Sequence, residues 1–397
     1  MSSTIPVIDI ASYLDGSDKM GVASQIGKAC EDIGFFMISG HGIDKHLLHK
    51  LQTTSASYFD SPLATKRQCS GPFGLGYMGQ GMENVAATLK EGSVTQDFKE
   101  SLNLTLPVRD GIWPMDDELR SLCAAYYVHV EKLANQLMRL FALALSLHEH
   151  FFDDKVDKPY TTLRLLNYPE FDANLADTAP GVVTTRNAEH TDYGTLTILY
   201  SSDSRGLQAQ SRKGEWINVD CINNPEEDAD EPVFIINIGD LMMNWTNDKW
   251  VSTLHRVIAH HETHGRRRSS MPFFHNPNPD AMIECIPSCL CDGEVPKYKP
   301  IYFLESVSYS SSTVSIYDNE AGNDSRKGSA SSNVPRRTSL VSLLSYSSRS
   351  DGLITSMNNL FDNSDDESDE LDDELIHASL QPRKETGGIY LGTYKFQ

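Results

Sequence analysis

Hydrophobic positions follow a mixed rhythm over the first half of the chain. Ile5-Pro6-Val7-Ile8-Asp9-Ile10 reads as a short strand, and apolar residues at helical spacing then predict a helix from Asp18 to Ile33. Gly34-Phe35-Phe36-Met37-Ile38 is a continuous apolar run ended by Gly40-His41-Gly42, which predicts a buried strand. Asp44 is placed to accept from first-turn amides, so a helix is expected through Leu47, Leu48 and Leu51 to Tyr58. The longest helical pattern covers 116–152, where Leu119, Leu122, Tyr126, Val130, Leu133, Leu137, Leu140, Ala144 and Leu147 recur on one face. From Thr161 the period changes. Leu163–Tyr168, Thr195–Tyr200, Leu207–Gln210 and Val233–Ile238 are short apolar runs set between Gly, Pro, Asn and Asp, as in an all-β barrel or a double-sheet roll.

The pattern divides the chain into an N-terminal α/β wrapping region (1–115), a long linking helix (116–157) and a β core (158–305). A different composition follows at 306–384. Twenty of those 79 residues are serine and 362–374 is densely acidic, so the segment lacks the apolar area to offset an ordering cost of about 1–2 kcal/mol per residue and is expected to be disordered. Strand character returns at Gly388–Tyr394, within a terminal element at 385–397, so the tract reads as an insertion.

Charge and cysteine usage narrow the class. Lys and Arg number 34 against 55 Asp and Glu, a formal charge of −21 that argues against nucleic acid or an anionic membrane as partner. No run approaches the roughly 18 apolar residues of a membrane span, and the first residues have neither the basic nor the apolar region of a signal peptide. Seven scattered cysteines are an odd number for a disulfide framework. A cytoplasmic protein with reduced thiols is expected.

The candidate chemistry centres on Glu189-His190-Thr191-Asp192-Tyr193-Gly194 and on His255-Arg256-Val257. Residues two apart on an extended segment point the same way, so His190 and Asp192 can offer a nitrogen and a carboxylate oxygen to one metal. His255, from another strand, would complete two histidines and a carboxylate on one face of an ion, leaving positions open for a cosubstrate and O2. A lone His-x-Asp is common without a metal, but Arg268-Ser269-Ser270-Met271-Pro272-Phe273-Phe274 follows. Arg268 and Ser270 share a strand face, and a guanidinium fork plus a hydroxyl suits the far end of a buried dicarboxylate. Tyr168 could add a second hydroxyl. Arg266 and Arg267 read as solvated charges.

Taken together these blocks resemble the 2-oxoglutarate and Fe(II)-dependent dioxygenases of the isopenicillin N synthase-like group. The resemblance covers most of residues 5–300. It also includes Ile5–Asp9, Gly34-Phe35-Phe36 with Gly40–Ile43, Asp97-Phe98-Lys99-Glu100-Ser101, Asn167-Tyr168-Pro169 and Asn237-Ile238-Gly239-Asp240. It implies a mainly β fold with α-helices, a double-stranded β-helix (jelly roll) wrapped by N-terminal helices. By matching position, His190, Asp192 and His255 would be the iron ligands. Arg268 and Ser270 would bind the far carboxylate of 2-oxoglutarate, assisted by Tyr168. The implied reaction decarboxylates 2-oxoglutarate to succinate and CO2 while O2 oxidises, most simply hydroxylates, a small organic molecule. Some relatives draw electrons from ascorbate or from the substrate itself, and a non-catalytic scaffold is the alternative outside enzymes. Two departures stand out: Leu166 occupies a position where plant members often carry asparagine, and the interval from His255 to Arg268 is a few residues long, as if absorbed by a hairpin at 263–265.

Substrate contacts are expected from Tyr77 and Met78 in the glycine-rich loop 74–81, from Phe98, and from Phe274, with Phe273 and Phe274 split between core and cavity. That loop lacks the Gly-Lys-Ser/Thr of a phosphate cradle. His260, His261 and His264 read as a polar hairpin, His41 as a packed turn residue, and Cys285, Cys289 and Cys291 lack a fourth ligand for zinc. Within the insertion, Arg336-Arg337-Thr338-Ser339 suits a basophilic kinase, and Ser364 and Ser368 an acidophilic one, which makes protein kinases candidate partners.

Overall fold

The computed structural model describes residues 4–71, 74–82, 99–106, 111–170, 185–221, 223, 232–258 and 267–303. The insertion at 306–384 with its candidate phosphosites, the element at 385–397, Phe98, and the hairpin holding His260, His261 and His264 lie outside these residues.

The N-terminal elements begin where their caps dictate. β1 (Val7–Asp9) and the short α1 (Ala11–Leu14) precede α2 (Lys19–Asp32), whose N-cap Asp18 accepts from Gly21 N. β2 (Phe35–Ser39) leads to α3 (Lys45–Asp60), capped by Asp44 through His46 N, and to the single turn of α4 (Leu63–Lys66). β3 (Gly76–Met78) and β4 (Glu100–Leu104) come before α5 (Asp117–Ala144). That helix stops at Ala144, short of the expected 152. Leu145 caps it and Ser146 turns the chain with φ +59°, while Leu147 and Phe151 still pack on the core from an irregular segment. The apolar rhythm therefore outlasts the helix because packing continues after the helical hydrogen bonds end.

The remaining strands are β5 (Thr162–Tyr168), β6 (Thr185–His190), β7 (Leu196–Tyr200), β8 (Leu207–Gln210), β9 (Trp216–Asn218), β10 (Phe234–Ile238), β11 (His255–Ile258) and β12 (Arg268–His275). A six-residue α6 (Asp240–Trp245) follows β10, and β13 (Met282–Ile283) pairs with β14 (Ile301–Tyr302). One sheet has the order β1-β2-β10-β7-β12-β5-β4-β3, and a second has β6-β11-β8-β9. Facing each other, they form the double-stranded β-helix.

Strand alternation sorts the large sheet into two faces. Its outer face carries Phe36, Ile38, Ile198, Ile236, Phe273, Leu163, Leu165 and Leu102, which bury against α2, α3 and α5 in the main core. Its inner face contributes Phe35, Met37 and Ile235 to a smaller core completed by Leu207, Ala209 and Val257 of the second sheet. The rest of the inner face is polar. There, alternation and register place Thr197, Asn237, Arg268, Ser270, Tyr168, Arg164, Ser101 and Asn103. One end of the roll is closed by apolar packing, and the other is built for chemistry.

Candidate metal and cosubstrate site

His190 ends β6, Asp192 follows in the turn, and His255 opens β11 directly opposite His190 in the strand register. The two imidazole rings lie 4.1 Å apart, and Phe35 meets the His255 ring edge-on at 5.4 Å. One ligand atom from each of the three residues falls within 4.8 Å of the others. Nε2 of each histidine is 3.7 Å from Asp192 Oδ1.

The hydrogen bonds around this trio fix what it can bind. His190 Nδ1 is 2.8 Å from Ala188 O, and His255 Nδ1 is 3.0 Å from Thr253 O. A backbone carbonyl only accepts, so both Nδ1 atoms carry a proton, and in the Nδ1–H tautomer each ring turns an Nε2 lone pair inward as a ligand atom. Asp192 Oδ2 accepts from Thr197 Oγ1 (2.5 Å) and Asn237 Nδ2 (2.7 Å), leaving Oδ1 for the centre. Burial and the neighbouring His255 push the His190 imidazole down to about 3. Burial would raise the Asp192 carboxyl, but the two imidazoles and the bonds from Thr197 and Asn237 outweigh it and hold it below its ordinary value. Three ligand atoms thus converge on one point, each held from behind by its own hydrogen bonds, an arrangement suited to a bound cation. Two nitrogens and one oxygen suit Fe(II).

The turn bearing Asp192 is fastened from below. Asp240 N donates to Asp192 O, Leu241 N to Tyr193 O and Gly194 O, and Gly239 N to Thr195 O. This closeness requires glycine at 239, and the turn is as tight at 194 against the end of β12. A Cβ on Gly239 would stand 2.1 Å from Gly194 O, and one on Gly194 would stand 2.5 Å from His275 O.

Deeper in the roll, Arg268 on β12 pairs in register with Tyr168 on β5, and Ser270 with Leu166. Arg268 is 7% exposed, Ser270 2% and Tyr168 1%. The guanidinium carbon lies 5.1 Å from the Tyr168 ring centre, Nη1 donates to Ser270 Oγ at 3.2 Å, and Nε has no partner. Asp203, the acid that acts on Arg268 from a distance, is engaged by Arg205 at 2.5–3.0 Å. Among the described residues no carboxylate neutralises Arg268 at ion-pair distance. A buried guanidinium beside a hydroxyl, without an anion of its own, fits an external carboxylate.

The expected substrate contacts separate. Met78 and Phe274 fall on the inner face, whereas Phe273 packs in the helix-side core. Tyr77 does not face the roll interior. Paired with Leu102 on the outer face, it buries its ring in the main core and donates to Glu100 Oε2, which also accepts from Lys66. His41 is a packed turn residue, 2.7 Å from Pro232 O and edge-on to Phe234. Among the described residues the His-Asp-His trio is the one cluster with metal-binding geometry, and Cys285, Cys289 and Cys291 form none. Two buried cations carried no role in the sequence reading: Lys99, which donates to Asn187 Oδ1 at 2.6 Å, and Arg186 on β6. Lys99 was visible within a family block; nothing in the run Thr185-Arg186-Asn187 signals that Arg186 turns inward.

A double-stranded β-helix with two histidines and a carboxylate converging beside a buried guanidinium defines the class of mononuclear non-haem oxygenases. Comparison with known proteins narrows it. Residues 5–119 match the family model described as non-haem dioxygenase in morphine synthesis N-terminal, and residues 161–277 match that of the 2OG-Fe(II) oxygenase superfamily. The 2-oxoglutarate-Fe(II) type oxidoreductase hxnY of Emericella nidulans is 31% identical over 315 residues, which cover 75% of this chain and 86% of that protein. The 2-oxoglutarate-Fe(II) type oxidoreductase ppzC of Metarhizium rileyi is 30% identical over 337 residues, 78% of this chain and 87% of its own. A full-length Neurospora crassa protein, solved in complex with alpha-KG and thymine, superposes with a TM-score of 0.66 at 30% identity over 75% of this chain and 93% of that one. The chain belongs to the 2OG-Fe(II) oxygenase superfamily. It is an oxidoreductase that uses Fe(II) and 2-oxoglutarate to oxidise small molecules. No described helix is long and apolar enough to cross a membrane.

Proposed function

We propose that His190 and His255 through Nε2, and Asp192 through Oδ1, hold the Fe(II), and that Arg268, Ser270 and Tyr168 bind the far carboxylate of 2-oxoglutarate, for hydroxylation of a small organic molecule. The observation that carries this reading is the convergence of three ligand atoms within 4.8 Å of one another. Bound together, iron and 2-oxoglutarate supply O2 activation coupled to loss of CO2 and release of succinate.

The chain's own residues prepare that chemistry. The Nδ1–H bonds to Ala188 O and Thr253 O hold both imidazoles in one tautomer, and Thr197 with Asn237 keeps the Asp192 carboxylate charged and aimed. Arg268 and Ser270 fix the direction of the cosubstrate by charge-assisted bonds, worth about 1.5–3 kcal/mol each. Met78 and Phe274 supply apolar contacts on the inner face, where a non-polar part of the substrate would rest. The thymine in the Neurospora crassa complex illustrates the size of molecule such a roll admits.

Equilibrium binding of 2-oxoglutarate to the anaerobic Fe(II)-loaded protein, followed by aerobic succinate formation, tests the reading. Asp192→Ala should lose iron binding and turnover together. Arg268→Ala should keep iron and raise the 2-oxoglutarate requirement; unchanged affinity in that variant would remove the clamp assignment.

A further inference from the structure

Arg186 is an arginine buried to 3% exposure on the inner side of the second sheet, and its surroundings match those of Arg268. β6 does not alternate cleanly against β11. The register slips twice, once between the pairs His255–His190 and Val257–Asn187 and again before Ile258–Thr185. Those slips bury three successive residues, Arg186, Asn187 and Ala188, where strict alternation would send one outward. Arg186 thereby reaches across to the large sheet. Its guanidinium carbon lies 5.4 Å from the centre of the Tyr168 ring, the same ring that Arg268 approaches at 5.1 Å, and its Nη2 donates to Pro169 O at 2.5 Å.

Two guanidiniums therefore lie against one buried tyrosine ring. Among the described residues no carboxylate pairs with either. The Arg186 Nε, like the Arg268 Nε, has no hydrogen-bond partner. Burial and the charge of Arg268 lower Arg186 to about 10, which still leaves it protonated at neutral pH. Burying two like charges side by side is unfavourable unless an anion joins them, and the one anion the known reaction brings to this end of the roll is the far carboxylate of the cosubstrate.

We infer that Arg186 is a second cationic binding residue for the far carboxylate of 2-oxoglutarate, acting with Arg268 beside the Tyr168 ring. The inference rests on the placement of that carboxylate at Arg268. It makes the subsite selective for dianionic 2-oxo acids, because a chain ending in methyl would leave two buried charges unanswered. Arg186 also explains how the pocket manages with Leu166 where a polar contact is often found: the missing dipole is replaced by a full charge from the opposite sheet.

The test is calorimetric titration of the anaerobic Fe(II)-loaded full chain with 2-oxoglutarate and with 2-oxopentanoate, which keeps the chelating end and lacks the far carboxylate. Arg186→Met should weaken 2-oxoglutarate at least tenfold and leave 2-oxopentanoate within about twofold, while Arg186→Lys should recover part of the loss. Combined with Arg268→Met, the effect should be less than the product of the two separate losses, since both grip one group. If Arg268→Met weakens 2-oxoglutarate and Arg186→Met does not, the inference fails and the Arg268 clamp stands. If Arg268→Met has no effect, the clamp itself fails. Equal loss of both acids in Arg186→Met would show a role in the fold or at the chelating end, and would overturn the inference. Should Arg186→Met not fold, as judged by its melting transition, Arg186→Lys is read by the same criterion.

Discussion

Replacing Thr197 by valine removes one hydroxyl and keeps the side-chain volume, which isolates a single bond to the proposed iron carboxylate. Thr197 is 4% exposed and Asp192 7%, and their oxygens are 2.5 Å apart, so both partners are largely shielded from bulk solvent. A charge-assisted hydrogen bond of this kind is worth about 1.5–3 kcal/mol. Asn237 still donates to the same oxygen, so the carboxylate keeps its orientation but loses part of its charge stabilisation. At about 1.4 kcal/mol per factor of ten, the loss corresponds to roughly 10- to 100-fold weaker Fe(II) binding, the range typical of residues that support a metal ligand. Anaerobic competition with a chromogenic Fe(II) chelator measures this directly. At saturating iron, the affinity for 2-oxoglutarate should not change, because Thr197 does not touch the Arg268 end. Iron affinity within twofold of the parent, in a variant with an unaltered melting transition, would falsify the claim that the Asp192 carboxylate is tuned by its partners on the inner face.

Three other perturbations test the scaffold. Lys66→Met should destabilise the protein by about 3–5 kcal/mol in urea denaturation, because it strands the buried Glu100 carboxylate; Glu100→Gln in the same chain should restore part of the loss, and no restoration would count against the pairing. Gly239→Ala should lower melting temperature and iron affinity together, since its Cβ would drive β10 away from Gly194 and the turn that carries Asp192; a drop in stability alone would separate the two. Burial raises the Glu131 carboxyl on α5 to about 7, against a bond from Thr161 that lowers it. The folded state therefore favours the protonated acid. This contribution is fully present below the ordinary carboxyl value and fades as pH rises through about 7, so Glu131→Gln should flatten the fall in stability across that window, read as melting temperature against pH.

Local signals carried much of the architecture. Asp44 announced its helix because an N-cap acts on amides two or three residues away, and it makes that bond; apolar spacing announced the helix from Asp18, which the structure shows to be its cap. Of the short apolar runs after Thr161, those of β5, β7 and β10 were legible as strands because both their faces are largely buried in the large sheet, and that of β8 because its buried and half-buried positions alternate. The trio was legible because His190 and Asp192 sit two apart, and His255 followed in a family block. What needed the fold was parity and register. The glycine-rich loop gave no indication of which face Tyr77 would take, and a shift of one residue separates Met78 on the inner face from Tyr77 in the core. Arg186 is hidden for the same reason: its inward turn depends on slips between β6 and β11, a property of two strands together. The overrun of α5 shows the converse, since Leu147 and Phe151 pack like helix residues without belonging to one.

The stapling of the Asp192 turn to the start of α6, with both imidazoles anchored on backbone carbonyls, has a consequence for metal choice. A trio arranged in advance binds without local ordering, so ferrous ion can leave and return without rebuilding the pocket. Such a trio also has little means of refusing a rival by changing shape. Cobalt, nickel and copper should then compete in the order of their intrinsic preference for nitrogen and oxygen donors. Which ion occupies the enzyme would be decided by the supply of metals around it, and nickel or copper excess should poison it while leaving its fold intact.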